Sequence, residues 1–173
     1  MPKVIDNAKS KILIAAKEEL DTHPRDFSMR KIAQRANMAV GTLYHYFPDK
    51  INLIASILLD DWNVEYEKVE LSIAECSELN EMLMKIIILI AEFRKKYQII
   101  FATYRNEGIN YDFTKLHSMF MSRIKHLLEI GKDKLMIPIK EEEDEMIVEM
   151  ILVQSRSETI SVETLVNMIA KII

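Results

Sequence analysis

Between Val4 and Leu20 the apolar positions Ile5, Ala8, Ile12, Ala15, Ala16 and Leu20 recur at three- and four-residue steps, the period of one face of an α-helix. His23-Pro24 ends that helix, because the residue before a proline disfavours the helical region. A short helix follows over Met29 to Ala36, with Ser28 as its N-cap and Phe27 and Ile32 at the two positions of a hydrophobic staple. Asn37 tolerates the left-handed conformation of a tight helix exit. A second short helix runs over Val40 to Tyr46, with Met38 and Leu43 at staple spacing. Pro48 breaks the chain, and Asp49 caps a long helix from Lys50 to about Val69.

The remainder predicts helices near 78–96, 97–107, 111–134, 141–157 and 161–172, with breaks at Asn106-Glu107-Gly108 and Ile137-Pro138. Met82, Leu83, Ile86, Ile87, Leu89, Ile90 and Phe93 make a helix apolar nearly all round, which must be buried. The acidic run Glu141 to Glu145 reads as a first helical turn, where carboxylates favour the positive end of the dipole. In the last helix Val162, Leu165, Val166, Ile169, Ile172 and Ile173 form a continuous stripe, and apolar residues cover more than one face of the helix before it. One face can serve the core and another a partner, so these two C-terminal helices are the candidate homodimer surface.

Composition supports an all-α reading. Among 173 residues there are only 3 Gly and 4 Pro, too few for the turns a β-sheet needs, while 49% are hydrophobic. The single Cys76 excludes an internal disulfide, and the four histidines show no paired metal spacing. No metal or other cofactor is expected. The first residues lack a basic-then-apolar signal pattern, and the longest apolar run, Ile86 to Ala91, falls far short of a membrane span. The expectation is a cytoplasmic protein with no membrane partner.

Net charge is −4, but it is unevenly spread. Residues 1–50 hold 9 Lys/Arg against 6 Asp/Glu, and residues 51–173 hold 14 against 21. A basic head on an acidic body suits a partner made of phosphate. Two short helices joined by about three residues, with a helix before and a longer one after, form the plan of a helix-turn-helix domain. Its second short helix would lie in the DNA major groove.

Arg30 and Lys31 stand in the first turn of their helix, where cations oppose the macrodipole. Such an arrangement is useful to a helix start that faces phosphate. Ser28 can donate to the same phosphate, and Arg30 can reach a phosphate or a guanine edge. Gly41 costs its helix about 0.8–1.0 kcal/mol relative to Ala, and its use is close backbone approach to another surface. Thr42 offers a hydroxyl and a methyl group. Leu43 and Phe47 face the core, as does Tyr46 among the aromatic trio, leaving Tyr44 and His45 for phosphates and bases. Lys50 repeats the cation-at-helix-start pattern. No nucleophile–base pair, metal set or phosphate loop points to an enzyme, and no catalytic residue is assigned.

The stretch Phe27 to Lys50, FSMRKIAQRANMAVGTLYHYFPDK, followed by Leu53, resembles the DNA-binding signature of the TetR family. Gly41 to Phe47 with Lys50 is its most specific part. The resemblance is close over residues 27–53 and general over about 4–60. It implies a homodimer on a double-stranded operator with two-fold symmetry, with Ser28, Arg30, Gly41, Thr42, Tyr44, His45 and Lys50 at DNA-contacting positions. Two residues depart from the pattern. Asn37 stands where Gly is usual, and Ala39 stands where a capping Ser or Thr is usual, which weakens the start of the recognition helix.

Residues 1–50 are thus expected to form the DNA-binding domain, a linking helix to span about 50–69, and residues 70–173 to form a helical effector-binding and dimerisation domain. The resemblance also implies a pocket for a small hydrophobic effector. Its candidate lining is Ile87, Phe93, Tyr97, Phe101, Tyr104, Phe113, His117 and Phe120, with Arg105 a further polar group to watch. The function implied is a transcriptional repressor released by ligand. Because the body is short for the family, a constitutive helix-turn-helix DNA-binding protein without an effector is the second reading.

Overall fold

A computed structural model describes the backbone of residues 3–106, 113–138, 140–154 and 160–173, and the side chains of 8–103, 116–138, 140–154 and 160–173. Among these residues every regular element is an α-helix: α1 (Lys3–Thr22), α2 (Met29–Arg35), α3 (Val40–Tyr46), α4 (Lys50–Ile73), α5 (Leu79–Asn106), α6 (Phe113–Lys134), α7 (Glu141–Gln154) and α8 (Val162–Ile169). They gather into two compact units. The boundary falls after Trp62 within α4 and after Gln98 within α5.

The N-terminal unit is built on α1 to α3 and the first part of α4. Ile12, Ala15, Ala16 and Leu20 of α1, Ile32 and Ala33 of α2, Leu43 of α3 and Leu53 and Ile57 of α4 are all buried. α1 packs on α2, and α2 on α3. Two ionic contacts fix α1. Lys17 Nζ lies 2.6 Å from an Asp60 carboxylate oxygen and 2.5 Å from one of Asp61. The Arg35 guanidinium donates from Nη2 at 2.8 Å and from Nε at 3.2 Å to Oε2 of Glu19, a carboxylate only 3% exposed. A buried carboxylate is tolerable only with such a partner, so this pair ties α1 to α2.

The C-terminal unit holds the apolar helix expected around Ile86. Met82, Leu83, Ile86, Ile87, Leu89, Ile90 and Phe93 are all buried. α6 packs on α7, and α7 on α8. Gly131 is what lets α6 approach so closely: a Cβ there would sit 1.8 Å from the Met82 sulfur and 3.3 Å from Ile73 Cγ2. Met136 closes α6 in the left-handed region (φ 55), its N–H donating to Asp133 and that of Ile137 to Lys132. Tyr66 is buried under the Arg123 guanidinium, 4.9 Å from its ring centroid, and donates to Glu70 at 3.2 Å. Burial, then the charge of Glu70, push its phenol up to about 12.

Four sequence expectations need correction. The helices predicted over 78–96 and 97–107 are one helix, α5, because no Gly or Pro interrupts 79–106 and the buried spacing Phe93, Tyr97, Ile100 runs through the supposed joint. α4 extends to Ile73, a turn beyond Val69, because Ile73 is fully buried. α8 stops at Ile169, and tight turns follow, with Ile172 and Ile173 N–H groups both donating to the Ile169 carbonyl. Leu165, Val166 and Ile169 of its stripe are buried within the chain instead of facing a partner. The acidic run does form the first turn of α7, as its sequence predicts, and one of its carboxylates is also structural. Asp144 is fully buried and accepts at 2.6 Å from Lys132, itself 1% exposed. The break after Asn106 and the end of the helix expected to reach 157 lie outside the described residues.

Candidate nucleic-acid interface

The turn between α2 and α3 is specified by backbone chemistry. Ser28 has extended dihedrals (φ −138, ψ 141), and its hydroxyl oxygen accepts from the Lys31 N–H at 3.3 Å, satisfying one of the unpaired amides of the first turn. At the other end Asn37 sits at φ 53, its N–H donating to the Gln34 carbonyl at 3.1 Å, while the Met38 N–H donates to the Ala33 carbonyl at 2.9 Å. That pair of bonds is the Schellman closure, with Asn in the place that Gly usually fills. α3 then starts at Ala39 with no side-chain cap, as its sequence requires. It is held instead by Leu43, fully buried, and by Phe47, 2% exposed. Asp49 caps α4, accepting the Asn52 N–H at 2.7 Å.

This framework leaves one set of side chains outside. Arg30, Gly41, Thr42, Tyr44 and His45 are exposed, and Ser28, Lys31 and Lys50 are half-buried. Tyr46 is half-buried rather than fully in the core, with its ring edge-on to His45 at 5.5 Å between centroids. A Cβ built on Gly41 meets nothing within 4 Å, so no internal packing demands glycine there. Two cations are engaged within the unit. Lys31 is ion-paired with Asp26; that bond holds the Asp26 carboxyl below its usual range and raises the lysine. The Lys50 ammonium lies 5.7 Å from the ring centroid of buried Phe27, which fixes the start of α4 against the turn before α2.

Sequence reasoning missed three polar residues here and nearby. Asp26, Glu19 and Arg35 set the charge and the pose of α2, but their partners lie 5 and 16 residues away, across turns no helical period relates. Val40 was also passed over; it is 37% exposed beside Tyr44, one turn on, at 47%.

The family model described as bacterial regulatory proteins, tetR family, matches residues 12–57, from buried Ile12 of α1 into α4. Over residues 12–57, then, the chain is similar to the DNA-binding region of the TetR family. Over 42 residues, 24% of the chain, it is 48% identical to the HTH-type transcriptional repressor KstR of Mycolicibacterium smegmatis, covering 19% of that protein. A 30-residue stretch, 17% of the chain, is 60% identical to KstR of Mycobacterium tuberculosis and covers 14% of it. The match therefore spans a fifth or less of these repressors. Over 96% of its length the chain shares the fold of a TetR transcription regulator from Haloarcula marismortui, with a TM-score of 0.64 at 14% identity and 96% of that chain covered. A second TetR regulator, from Rhodococcus sp. RHA1, superposes over 96% of this chain and 94% of its own with a TM-score of 0.56 at 18% identity. At these identities the likeness is one of fold.

The effector candidates separate into groups. In the C-terminal unit Phe93 packs against Tyr97 at 5.0 Å and against Phe120 at 5.6 Å between centroids, and Ile87 is buried in the same unit. His117 is exposed and stands outside that cluster. Phe101 is half-buried and belongs to the other unit. The side chains of Tyr104, Arg105 and Phe113 lie outside those described. No helix among the described residues is long and apolar enough to cross a membrane.

Proposed function

We propose that this chain is a transcriptional repressor that binds a palindromic operator as a homodimer, through the exposed face of α2 and α3, and is released by a small hydrophobic ligand. The single observation that carries the reading is a helix pair, joined by a closed turn, that leaves Ser28, Arg30, Lys31, Gly41, Thr42, Tyr44, His45 and Lys50 exposed or half-buried on its outer side. Phosphate contacts from α2 would set the pose, and α3 would lie in the major groove. The family model over residues 12–57 and the partial likeness to KstR repressors support the same reading. Residues 1–50 would then be the DNA-binding domain, the helix after them the link, and residues 70–173 the effector and dimer domain. For the dimer, Met146, Met150 and Val153 share one face of α7 at a four- and three-residue spacing; Met146 is 46% and Val153 50% exposed, and Met168 of α8 is 41% exposed. Two copies joined this way would present two recognition helices to successive major grooves, about 34–36 Å apart. Ligand that favours another separation would shift the population toward release.

Selection from a random-sequence duplex library tests this. The expected product is an inverted repeat of two half-sites centred about 10–10.5 base pairs apart, or a multiple of that spacing. Failure to enrich any sequence would contradict the reading.

One observation favours the second reading, a constitutive DNA-binding protein without effector. Phe93 and Tyr97 are 6% and 3% exposed and in ring contact, as in a filled core. A thermal-shift screen with hydrophobic and cationic small molecules separates the two. Compounds that raise the melting temperature and weaken operator binding support the effector; a screen with none supports the constitutive protein.

A further inference from the structure

The composition of α3 restricts what it can read in a major groove. Its seven residues, VGTLYHY, include no Arg, Lys, Asn, Gln, Asp or Glu. Those are the side chains that pair bidentately with guanine or adenine, or accept from the cytosine amine. What α3 does expose is apolar or singly hydrogen-bonding: Ala39 just before it, then Val40, Gly41, Thr42, Tyr44 and His45. Val40 is the odd member. By helical position it stands near Leu43 and Phe47, both buried, yet it is 37% exposed, and Tyr44 on the next turn is 47% exposed. Its branched side chain is stiff, so the exposed methyl surface holds one direction. Bare Gly41 beside it, with open space around its Cα, adds no side chain that could cover that surface.

A major groove offers one apolar feature among the base edges, the C5-methyl of thymine. Resting on the reading that α3 enters the groove, we infer that Val40 determines specificity by packing on a thymine methyl, and that the bases beneath α3 are chosen by methyl contact rather than by bidentate hydrogen bonding. Ala39 and the Thr42 methyl extend the same apolar strip. Bidentate pairing with a guanine in the half-site is left to α2, where Arg30 is exposed.

The test uses the full chain and the duplex enriched by selection, with each thymine replaced in turn by uracil. That change deletes the methyl and keeps every hydrogen-bonding group. At one or two positions per half-site the affinity, read by fluorescence anisotropy, should fall by about fourfold, the equivalent of one buried methyl. Val40→Ala, which stays helical because the position is exposed and Ala favours helix, should bind the thymine and uracil duplexes equally at one of those positions. Val40→Asn should move the preferred base there toward adenine in a repeat selection. Uracil scanning with no effect at any position, or Val40→Ala with full methyl sensitivity, would overturn the inference while DNA binding stands. A library from which nothing is enriched would instead bring down the DNA-binding reading on which it rests.

Discussion

At the scale of single residues, the interface pits local cost against an external use. Gly41 is the clearest case: glycine lowers helix stability, and no described atom lies within 4 Å of where a Cβ would sit. Gly41→Ala is therefore expected to leave the chain as stable or to raise its stability by up to about 1 kcal/mol, while weakening DNA binding by at least tenfold. Denaturant melts and anisotropy titrations on the same samples check the opposed signs; equal DNA affinity would remove the close-approach argument. Asp26 works the other way. It holds Lys31 in an ion pair on the face assigned to DNA. Asp26→Asn would free that ammonium for a phosphate, so affinity at low salt should rise. The slope of log affinity against log salt should steepen by about 0.9 for each further phosphate the protein neutralises, and by about 1.8 for a symmetric dimer. An unchanged slope would mean that Lys31 does not meet the backbone. The candidate residues themselves were legible in the sequence, because outward positions follow from helix register. Their partners were not. The Asp26–Lys31 and Glu19–Arg35 pairs depend on how turns fold back, which no local pattern encodes.

At the scale of elements, caps and breakers were the most readable features. The bounds of α3 match the sequence reading, since Asn37, Pro48 and Asp49 punctuate it by mechanisms that act within a turn. Where punctuation is absent, as across 79–106, apolar spacing alone did not show that one helix continues. The α6–α7 contact was hidden for a different reason. No local pattern relates Lys132 to Asp144, yet both are buried and bonded at 2.6 Å, with Asp144 Oδ2 lacking any hydrogen-bond partner among the described residues. Removing one partner leaves an uncompensated buried charge. Lys132→Met or Asp144→Val alone should each cost about 3–5 kcal/mol, whereas the double variant should be neutral or more stable by about 1–4 kcal/mol. Urea unfolding of the three variants measures this, and additive losses in the double variant would refute it. A neutral or stabilised double variant would assign the pair to fixing the register of α6 on α7 rather than to stability.

For the molecule as a whole, the chain forms two compact units, with 99–111 grouped with the N-terminal one, whereas the expected division was at residues 1–50 and 70–173. The helical class was readable from scarce Gly and Pro and from apolar period. The partner face was not, because a stripe on α8 looks the same whether it packs inside or outside; burial of Leu165, Val166 and Ile169 moves the candidate face to Met146, Val153 and Met168. The central claim is that the α2–α3 face binds DNA, and Arg30 is its most direct probe. It is exposed, with no ion pair or hydrogen bond among the described residues, so its loss should not disturb the fold. On the duplex recovered by selection, at physiological salt, Arg30→Ala should retain native helicity and lose about 1–3 kcal/mol of binding free energy per contact, roughly 5- to 150-fold in affinity. A folded Arg30→Ala variant that binds that duplex as tightly as the native chain would mean that DNA does not lie against this face.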